Sequence, residues 1–508
     1  MHLTPKYLLK SLPILLSIFF AFPVLAQESK PTSNYAGVSV ITLNPAELAD
    51  NRMKVNINIG SIYVDYQNNF SRWVAPHSFA KAAINPVKYP GDYKILEQKT
   101  NKNTSLNAQV LGPSVMFTIP SLNLGLAAGV KQSIFADLQD ATNVTGTFLY
   151  KGLYYRPLHS TIHQDEAFKF NLGTYNEFFV SAAYVLKEEP NSAMKVGATL
   201  KKLSSNLTFN ITANDLDYRV EQTTSIVNPI KSDVFFTQSQ GSFINASNEF
   251  NVSAGWFLEQ FTAVNGIGNG YGADIGFTYE YRPDGHKFRK KYKRRMISDP
   301  KVNKYQWKFG VGLQDLGYLR YNDPRIQIAN VDEGTNQFIF GDFTGISSTD
   351  EFVSVLEAEY GLNPTNYTNS FNVLMPAAIV THADFSLGND FYVAAVWRQS
   401  LLSRKRIGPH RSSYILVAPR FERKWFEVIV PIAISNYYNN VNFGITGRVG
   451  PLFLGLTDLT LNSSVFNSRG IAGEIGLSIP LFHSDPKSPL KCYTELRSRK
   501  KLFGKKKK

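Results

Sequence analysis

Residues 271–281 read YGADIGFTYEY, and apolar and polar side chains alternate along the whole stretch. One face carries the larger apolar residues, Tyr271, Ala273, Ile275, Phe277, Tyr279 and Tyr281. The other face carries small or polar residues, Gly272, Asp274, Gly276, Thr278 and Glu280. A period of two predicts a β-strand with one apolar and one polar face.

The same alternation recurs along the chain, at residues 55–59, 122–130, 307–314, 441–446 and 471–481. A secreted β-sandwich also alternates in this way, so other features must decide. The segments run for roughly 10–14 residues, which exceeds a usual soluble strand and is enough to cross a bilayer at a tilt. Aromatic residues gather near the segment ends, as in outer-membrane girdles. The pattern therefore favours an all-β transmembrane antiparallel β-barrel, whose closed sheet satisfies every backbone group in lipid.

The connections between the segments alternate between tight turns and long loops. The tight turns at 188–191, 387–390, 422–424 and 448–451 all fall on one side, which outer-membrane barrels turn towards the periplasm. About 14 strands are predicted, within a range of roughly 12–16, because residues 205–270 form either one outer excursion or a further hairpin. The predicted strands are 53–66, 106–118, 122–135, 176–187, 193–204, 271–282, 305–318, 371–386, 390–402, 411–422, 425–436, 440–449, 451–461 and 470–482.

The two ends of the chain are predicted to form separate segments, before and after the barrel in sequence. Residues 1–26 combine Lys6 and Lys10 with an apolar run and Val24-Leu25-Ala26, which predicts a cleaved signal peptide and export to the bacterial outer membrane. We expect a plug-like segment at 27–52, the barrel at 53–482 and a basic periplasmic tail at 483–508. A single cysteine, Cys492, excludes a disulfide scaffold. The 19% of charged and 13% of aromatic residues argue against a disordered chain or a coiled coil.

The net charge of +14 is concentrated in two segments. Residues 282–304 and 483–508 each contain ten Lys or Arg and carry +8, so the rest of the chain is slightly acidic. Both segments are predicted to be periplasmic, which makes nucleic acid an implausible partner. They form either a solvated turn and tail or a docking surface for an acidic periplasmic protein, a lipid head group or peptidoglycan. The docking candidates are Lys290, Lys291, Arg294, Arg295, Lys500 and Lys501.

No motif predicts catalysis, a metal or a cofactor. Gly268-x-Gly270-x-x-Ala273 fits a dinucleotide fingerprint, but a strand pattern follows it where that motif needs a helix. The glycines are better explained by crowding on the inner face of a barrel. His159 and His163 lie near Asp165 and Glu166 in a stretch without helical period, so a solvated loop is favoured over a metal site. We expect a protein that is not an enzyme and has no cofactor.

Several stretches resemble a known family. Asn44-Pro45-Ala46 is similar to an element of FadL-like barrels, with Glu47-Leu48 where that pattern has Gly-Leu. Residues 268–279, 312–317, 374–377 and 448–455 resemble an uncharacterised Bacteroidota outer-membrane family distantly akin to FadL. The resemblance implies a barrel with an N-terminal segment in its lumen. FadL itself carries hydrophobic molecules through a lateral opening, and related Bacteroidota barrels are accessory parts of type IX secretion or gliding machinery.

Two functions are therefore expected as alternatives. One is transport of small hydrophobic solutes across the outer membrane, with outer-membrane lipid and a hydrophobic ligand as partners. The other is an accessory barrel of a secretion or gliding complex, docked through the basic segments. Asn44, Pro45 and Ala46 are the plug or gate candidates, unless they form an ordinary turn before the first strand. Asp274, Glu280 and Glu474 are lumen candidates, or simply polar residues filling a wet interior.

Overall fold

The computed structural model describes residues 29–69, 71–73, 93–95, 102–151, 155–220, 226–239, 264–292, 295–323, 326–332, 338–339, 358, 370–403, 406–435, 440–460 and 470–484. The predicted signal peptide, 1–26, lies outside the described residues, as does the tail from 485 onwards.

Strands dominate the described residues. In chain order they are Met53–Asn68 (β1), Ser71–Trp73 (β2), Tyr93–Ile95 (β3), Lys102–Ile119 (β4), Leu124–Ala141 (β5), Ile162–Glu188 (β6), Ser192–Val220 (β7), Ile226–Ser239 (β8), Gly268–Tyr281 (β9), Arg289–Tyr292 (β10), Arg295–Ser298 (β11), Trp307–Asn322 (β12), Ile326–Asp332 (β13), Phe338–Ile339 (β14), Ser370–Leu374 (β15), Ala378–Gly388 (β16), Phe391–Ser400 (β17), Tyr414–Glu422 (β18), Phe426–Ile429 (β19), Ile432–Ser435 (β20), Asn440–Val449 (β21), Leu452–Thr460 (β22) and Gly470–Phe482 (β23).

The helices are few and short. One α-helix covers Asn143–Lys151 (α1). The 3₁₀ helices are Lys30–Thr32, Gly37–Thr42, Pro45–Leu48, Pro120–Leu122, Arg156–Leu158 and Gly285–Phe288. None of the helices in the described part of the chain has the length and apolar character needed to span a membrane.

The main sheet closes on itself between the first and last strands. Strand β1 pairs antiparallel with β23, for example Ile62 with Ile475, and on its other edge with β4. The barrel wall is a closed ring of 14 antiparallel strands, in which β15 with β16 and β19 with β20 each count as one interrupted strand. This confirms the predicted all-β barrel and its count of about 14.

The count is 14 and not 16 because the extra strand in 205–270 does not enter the wall as a full strand. Strand β8 pairs with the upper half of β7, from Phe209–Gln238 to Val220–Val227, and with β13. The lower half of β7 pairs directly with β9, from Ser192–Tyr281 to Ser205–Gly268. Strand β8 therefore extends the wall on the side away from the tight turns.

The predicted faces of the strands appear as outside and inside. On β9, Tyr271 and Ile275 are 63% and 55% exposed, whereas Asp274 and Glu280 are 3% and 1% exposed. Apolar residues outside and polar residues inside are the reverse of a soluble protein. A barrel in lipid needs this arrangement, because its outer surface faces acyl chains and its polar side chains line the lumen. The apolar outer surface is thus that of a transmembrane barrel of the bacterial outer-membrane type.

The wall strands are much longer on one side of the barrel than on the other. Strands β6 and β7 have 27 and 29 residues, whereas β17 and β18 have 10 and 9. The sequence predicted β6 at 176–187 and β7 at 193–204, and both predicted strands are too short. Both strands keep alternating beyond the predicted bounds, with Phe168, Phe170 and Leu172 on β6 and Leu207, Phe209 and Ile211 on β7. The prediction stopped at the length that crosses a bilayer and not at the end of the pattern.

Candidate functional site

A turn at Asn44-Pro45-Ala46 is hydrogen-bonded directly to the inner wall. The Asn44 Oδ1 accepts a hydrogen bond from the Ala46 amide, at 2.9 Å, and so caps the 3₁₀ helix Pro45–Leu48. The Asn44 Nδ2 donates to the Phe277 carbonyl oxygen on β9, at 2.9 Å. It also lies 3.4 Å from the Val311 carbonyl oxygen on β12. Asn44 and Ala46 are fully buried, so this turn occupies the lumen side of two neighbouring wall strands.

Three glycines of the wall provide the space for this turn. A Cβ atom added at Gly197 would lie 2.5 Å from the Ala46 amide nitrogen, and one at Gly125 would lie 2.2 Å from the Leu48 carbonyl oxygen. A Cβ at Gly276 would lie 1.8 Å from the Asn44 Oδ1. All three distances are far below a van der Waals contact. We call Gly125, Gly197 and Gly276 the glycine seat; a larger residue at these positions cannot coexist with the turn as it stands.

Charged groups hold the segment after the turn. Glu47 pairs with Lys308 of β12 at 2.9 Å and lies 3.4 Å from the His382 Nε2 of β16. Asp50 pairs with Arg282 at 2.8 Å and with Lys304 at 2.6 Å. All these groups are largely withdrawn from solvent, so each carboxylate is satisfied only by cations of the barrel.

The Asp50 pair lies beyond the strand ends, on the side of the tight turns. Burial would raise the pKa of Asp50, but Lys304, Arg282 and Arg52 outweigh it and hold that pKa well below its ordinary value. Burial lowers the pKa of Lys304 to about 8, and the nearby Asp50 opposes this effect only in part. The ionised Asp50 therefore depends on the residues 282–304 that surround it.

The beginning of the described chain is attached to the opposite wall. The Ser29 and Thr446 hydroxyls are 3.0 Å apart. The Asn34 amide nitrogen donates to a Glu422 carboxylate oxygen at 3.2 Å, and the Asn34 Nδ2 lies 2.8 Å from the Tyr305 hydroxyl. Residues 29–52 thus contact both walls of the lumen.

The three lumen candidates are all buried but do not form one site. Asp274 pairs with Lys201 at 2.8 Å and accepts from the Asp315 amide at 2.7 Å. Glu280 pairs with Lys195 and Arg282, the second of which also holds Asp50. Glu474 lies apart from both, on β23, opposite Tyr63 of β1 and Gly455 of β22. Glu280 shares Arg282 with Asp50, and Glu474 interacts electrostatically with Lys30, so two of the three candidates act on residues 29–52.

An apolar patch covers the inner face of β16–β20. The patch consists of Val380, Ala394, Val396, Tyr414, Leu416, Ala418, Ile429 and Ala433, and the side chain that packs on it from the lumen segment is Leu43. Sequence reasoning missed this inner patch. The available indication was residues 414–418, YILVA, which are apolar on both faces where other strands alternate.

Beside the inner patch, two neighbouring strand pairs each lack one backbone hydrogen bond. The Val430 amide donates to the Pro419 carbonyl oxygen at 2.9 Å, but Pro419 has no N–H to return the bond. The Gly444 amide donates to the Pro431 carbonyl oxygen at 2.9 Å, and Pro431 likewise cannot reciprocate. Strands β19 and β20 are separated at this point. We call Pro419, Val430 and Pro431 the proline seam; among the described strands, the wall is interrupted here and between β15 and β16.

Comparison with known proteins places the chain in a family. Residues 45–457 match the family model described as "Family of unknown function (DUF5723)". This chain is a DUF5723 protein. A search of curated proteins finds no match.

Solved barrels resemble the DUF5723 chain only distantly. The toluene transporter TbuX of Ralstonia pickettii has 10% identity and a TM-score of 0.39, over 88% of this chain and 94% of that one. A Pseudomonas aeruginosa FadL homologue has 10% identity and a TM-score of 0.35, over 90% and 96%. The translocator domain of the autotransporter NalP from Neisseria meningitidis has 8% identity and a TM-score of 0.32, over 90% and 99%. The expected link to Bacteroidota secretion or gliding machinery stays a prediction.

The basic docking candidates of this DUF5723 chain are only partly described. Lys290, Lys291 and Arg295 belong to the hairpin of β10 and β11, where Lys290 pairs with Ile297 and Tyr292 with Arg295. Arg294, Lys500 and Lys501 lie outside the described residues. Docking through these segments stays a prediction.

The two histidines considered for a metal belong to an aromatic cluster on the outer extension of the wall. The rings of His159 and His163 lie 6.4 and 5.8 Å from that of Phe148, measured between centroids. The His163 Nε2 is 2.9 Å from the Leu158 carbonyl oxygen. These contacts are those of a small packed core.

Proposed function

We propose that this protein carries small hydrophobic solutes across the outer membrane, with residues 29–52 acting as a plug that must move. The observation that carries the proposal is the inner patch on β16–β20, covered by Leu43. A barrel that passed only polar solutes would gain nothing from an apolar lumen surface. Covered by a movable segment, such a surface is a binding site that opens when the segment leaves.

The rest of the lumen makes the inner patch distinctive. A second buried apolar cluster lies on β4–β6, and it is covered by Ala36, Val38, Val40, Ile41, Leu48 and Ala49. In the inner patch the lumen segment contributes Leu43 to the cluster, so less of that segment has to move before an apolar solute reaches the patch. The proposed path therefore follows the inner patch.

The proline seam supports a sideways route next to the inner patch. Ala418 lies on the inner face directly before Pro419, and Ile429 lies directly before Val430. Each missing ladder bond lowers the cost of separating the strands by about 1 kcal/mol. A solute on the inner patch is thus beside a part of the wall that has fewer backbone hydrogen bonds to break.

The plug is held by contacts that can be broken without unfolding the barrel. Its anchors are side-chain ion pairs and hydrogen bonds, at Asn34, Asn44, Glu47 and Asp50. None of these contacts belongs to the backbone hydrogen bonds that join one wall strand to the next. Movement of residues 29–52 thus leaves the 14-strand ring intact.

Filling the inner patch tests the proposal. The variant Ala418→Trp places a large ring on the patch, and Val417→Trp places the same ring on the adjacent outer face, where Val417 is 41% exposed. The measurement is uptake of the hydrophobic fluorophore N-phenyl-1-naphthylamine by intact Gram-negative cells with equal amounts of folded barrel in the outer membrane. We expect several-fold slower uptake for Ala418→Trp and unchanged uptake for Val417→Trp. Equal uptake by Ala418→Trp and the native protein would refute the proposal.

A further inference from the structure

A polar recess opens inside the barrel above β1, β4 and β5. Its volume is about 350 Å³ including the open mouth, and its lining includes Gln67, Asn103, Ser105, Asp137, Gln139 and His410. Apart from the mouth, it has room for roughly one or two water-sized groups. It lies on β1, β4 and β5, whereas the inner patch of the proposed transport path lies on β16–β20.

Two strands bring the same short motif to this recess. Strand β1 carries Asp65-Tyr66-Gln67 and β5 carries Asp137-Leu138-Gln139. In each, the glutamine Nε2 donates to the aspartate two residues before it, at 3.0 Å from Gln67 to Asp65. A carboxylate only accepts hydrogen bonds, so the amide nitrogen must face it and the amide oxygen must face away.

The two amide oxygens are left as buried acceptors that line the recess. Gln67 and Gln139 are each 5% exposed. Within the described residues, neither Oε1 atom has a hydrogen-bond partner, and the same holds for the Asp137 Oδ2. A buried polar atom without a partner costs about 1–3 kcal/mol, so three acceptors around one recess favour a donor between them.

The charges near the recess favour a positive donor. Among the described ion-pair contacts, Asp137 has the His410 ring, whose Nδ1 lies 3.1 Å from the Asp137 Oδ1. Asp65 is hydrogen-bonded to Gln67, which adds no positive charge. Asp65, Asp137 and His410 do not converge as metal ligands do within the described residues. A bare metal ion is therefore a poorer fit than a group that spreads several N–H donors.

We propose that this recess binds the ammonium group of a small primary amine. An –NH₃⁺ group has three donors and no acceptor, which matches the two glutamine oxygens and the Asp137 carboxylate. It is also close to the size of the water-sized space that the recess offers. The remainder of the ligand extends into the open mouth, so the site selects the ammonium group rather than the whole molecule.

Binding of n-butylammonium to the purified full-length protein in detergent tests this assignment. Saturation-transfer NMR compares it with n-butanol, which is neutral, and with tetramethylammonium, which is charged but has no N–H donor. We expect binding of n-butylammonium alone. Asp137→Asn and Gln139→Leu should each weaken it by about tenfold or more, because each removes one charged or polar acceptor. Asp165→Asn, a carboxyl on the outer extension, should leave it unchanged.

Each other result overturns the assignment. Equal binding of n-butanol or tetramethylammonium shows that donor geometry is not recognised. Displacement of n-butylammonium by equimolar Ca²⁺ through the same residues shows a metal site. Unchanged affinity in both variants, with a barrel that still migrates as folded in unheated gels, shows that the amine binds elsewhere. None of these outcomes bears on uptake through the inner patch, which Ala418→Trp tests separately.

Discussion

At the scale of single residues, Glu47 is the clearest departure from the pattern that this chain resembles. FadL-like chains have Gly-Leu after Asn-Pro-Ala, and here the residues are Glu47-Leu48. The added carboxylate is buried against Lys308 and His382. The ion pair thus adds to the Asn44 side-chain hydrogen bonds that hold the turn.

Replacing Glu47 should loosen the plug. In Glu47→Gln, Lys308 keeps only Asp384, 3.9 Å away, as a partner among the described ion pairs. Losing one member of a buried pair costs about 3–5 kcal/mol, so hydrogen–deuterium exchange over residues 29–52 should quicken at least tenfold. The control is Glu189→Gln, whose exposed pair with Lys187 should contribute little. Slow exchange in Glu47→Gln would mean that the ion pair does not hold the plug.

Acid should release the same segment through Asp50. Its pKa when docked lies below the ordinary value of 3.8, so the docked state binds fewer protons than the released state. Between about pH 4 and pH 8 both Asp50 and Lys304 are charged and docking is favoured, and the contribution of Asp50 is lost as the pH falls below about 4. A nitroxide on Thr42→Cys, in a Cys492→Ser background, should gain mobility below pH 4 in electron paramagnetic resonance. With Asp50→Asn added, the label should be mobile already at pH 7; a label that stays immobile there contradicts the assignment.

At the scale of elements, the glycine seat joins β5, β7 and β9 to the 3₁₀ helix Pro45–Leu48. In Gly197→Ala the new Cβ meets backbone atoms of Pro45 and Ala46 at 2.5 Å, which no side-chain rotation relieves. Overpacking of this kind costs about 1–3 kcal/mol. We expect faster exchange over residues 29–52 with an unchanged barrel. Gly447→Ala is the matched control, since its Cβ would meet only carbonyl oxygens at 3.9 Å. Equal exchange in the two variants would show that the seat is not needed.

At the scale of the whole molecule, closure depends on β23, which pairs with both β1 and β22. A chain that ends at residue 469 should fail to close, because both edges then expose unpaired backbone groups to lipid. A chain that ends at residue 484 keeps β23 and should close. Folding into detergent, followed by the shift in gel mobility between unheated and heated samples, distinguishes the two. A mobility shift in the shorter chain would place the closing contact elsewhere.

Much of this architecture is predictable because alternation in a lipid-exposed strand has a physical cause. The 11 residues from Tyr271 to Tyr281 show both faces, and the structure places them outside and inside as expected. Asn44, Pro45 and Ala46 are identifiable by resemblance, but Gly125, Gly197 and Gly276 are not. A glycine on a lumen face looks the same in sequence whether it meets water or the backbone of another segment.

The sequence by itself determined the barrel and which face of most strands is apolar, because lipid outside and polar groups inside impose a period of two on a wall strand. It left the strand count open between 14 and 16, and the pairing of β8 decided it. Tertiary structure alone decided how the groups within the ring are arranged. The inner patch and the recess each combine residues from segments far apart in the chain, as Leu43 does with Ala418. Contacts of that kind depend on which strands the closed sheet brings face to face, and no local period records them.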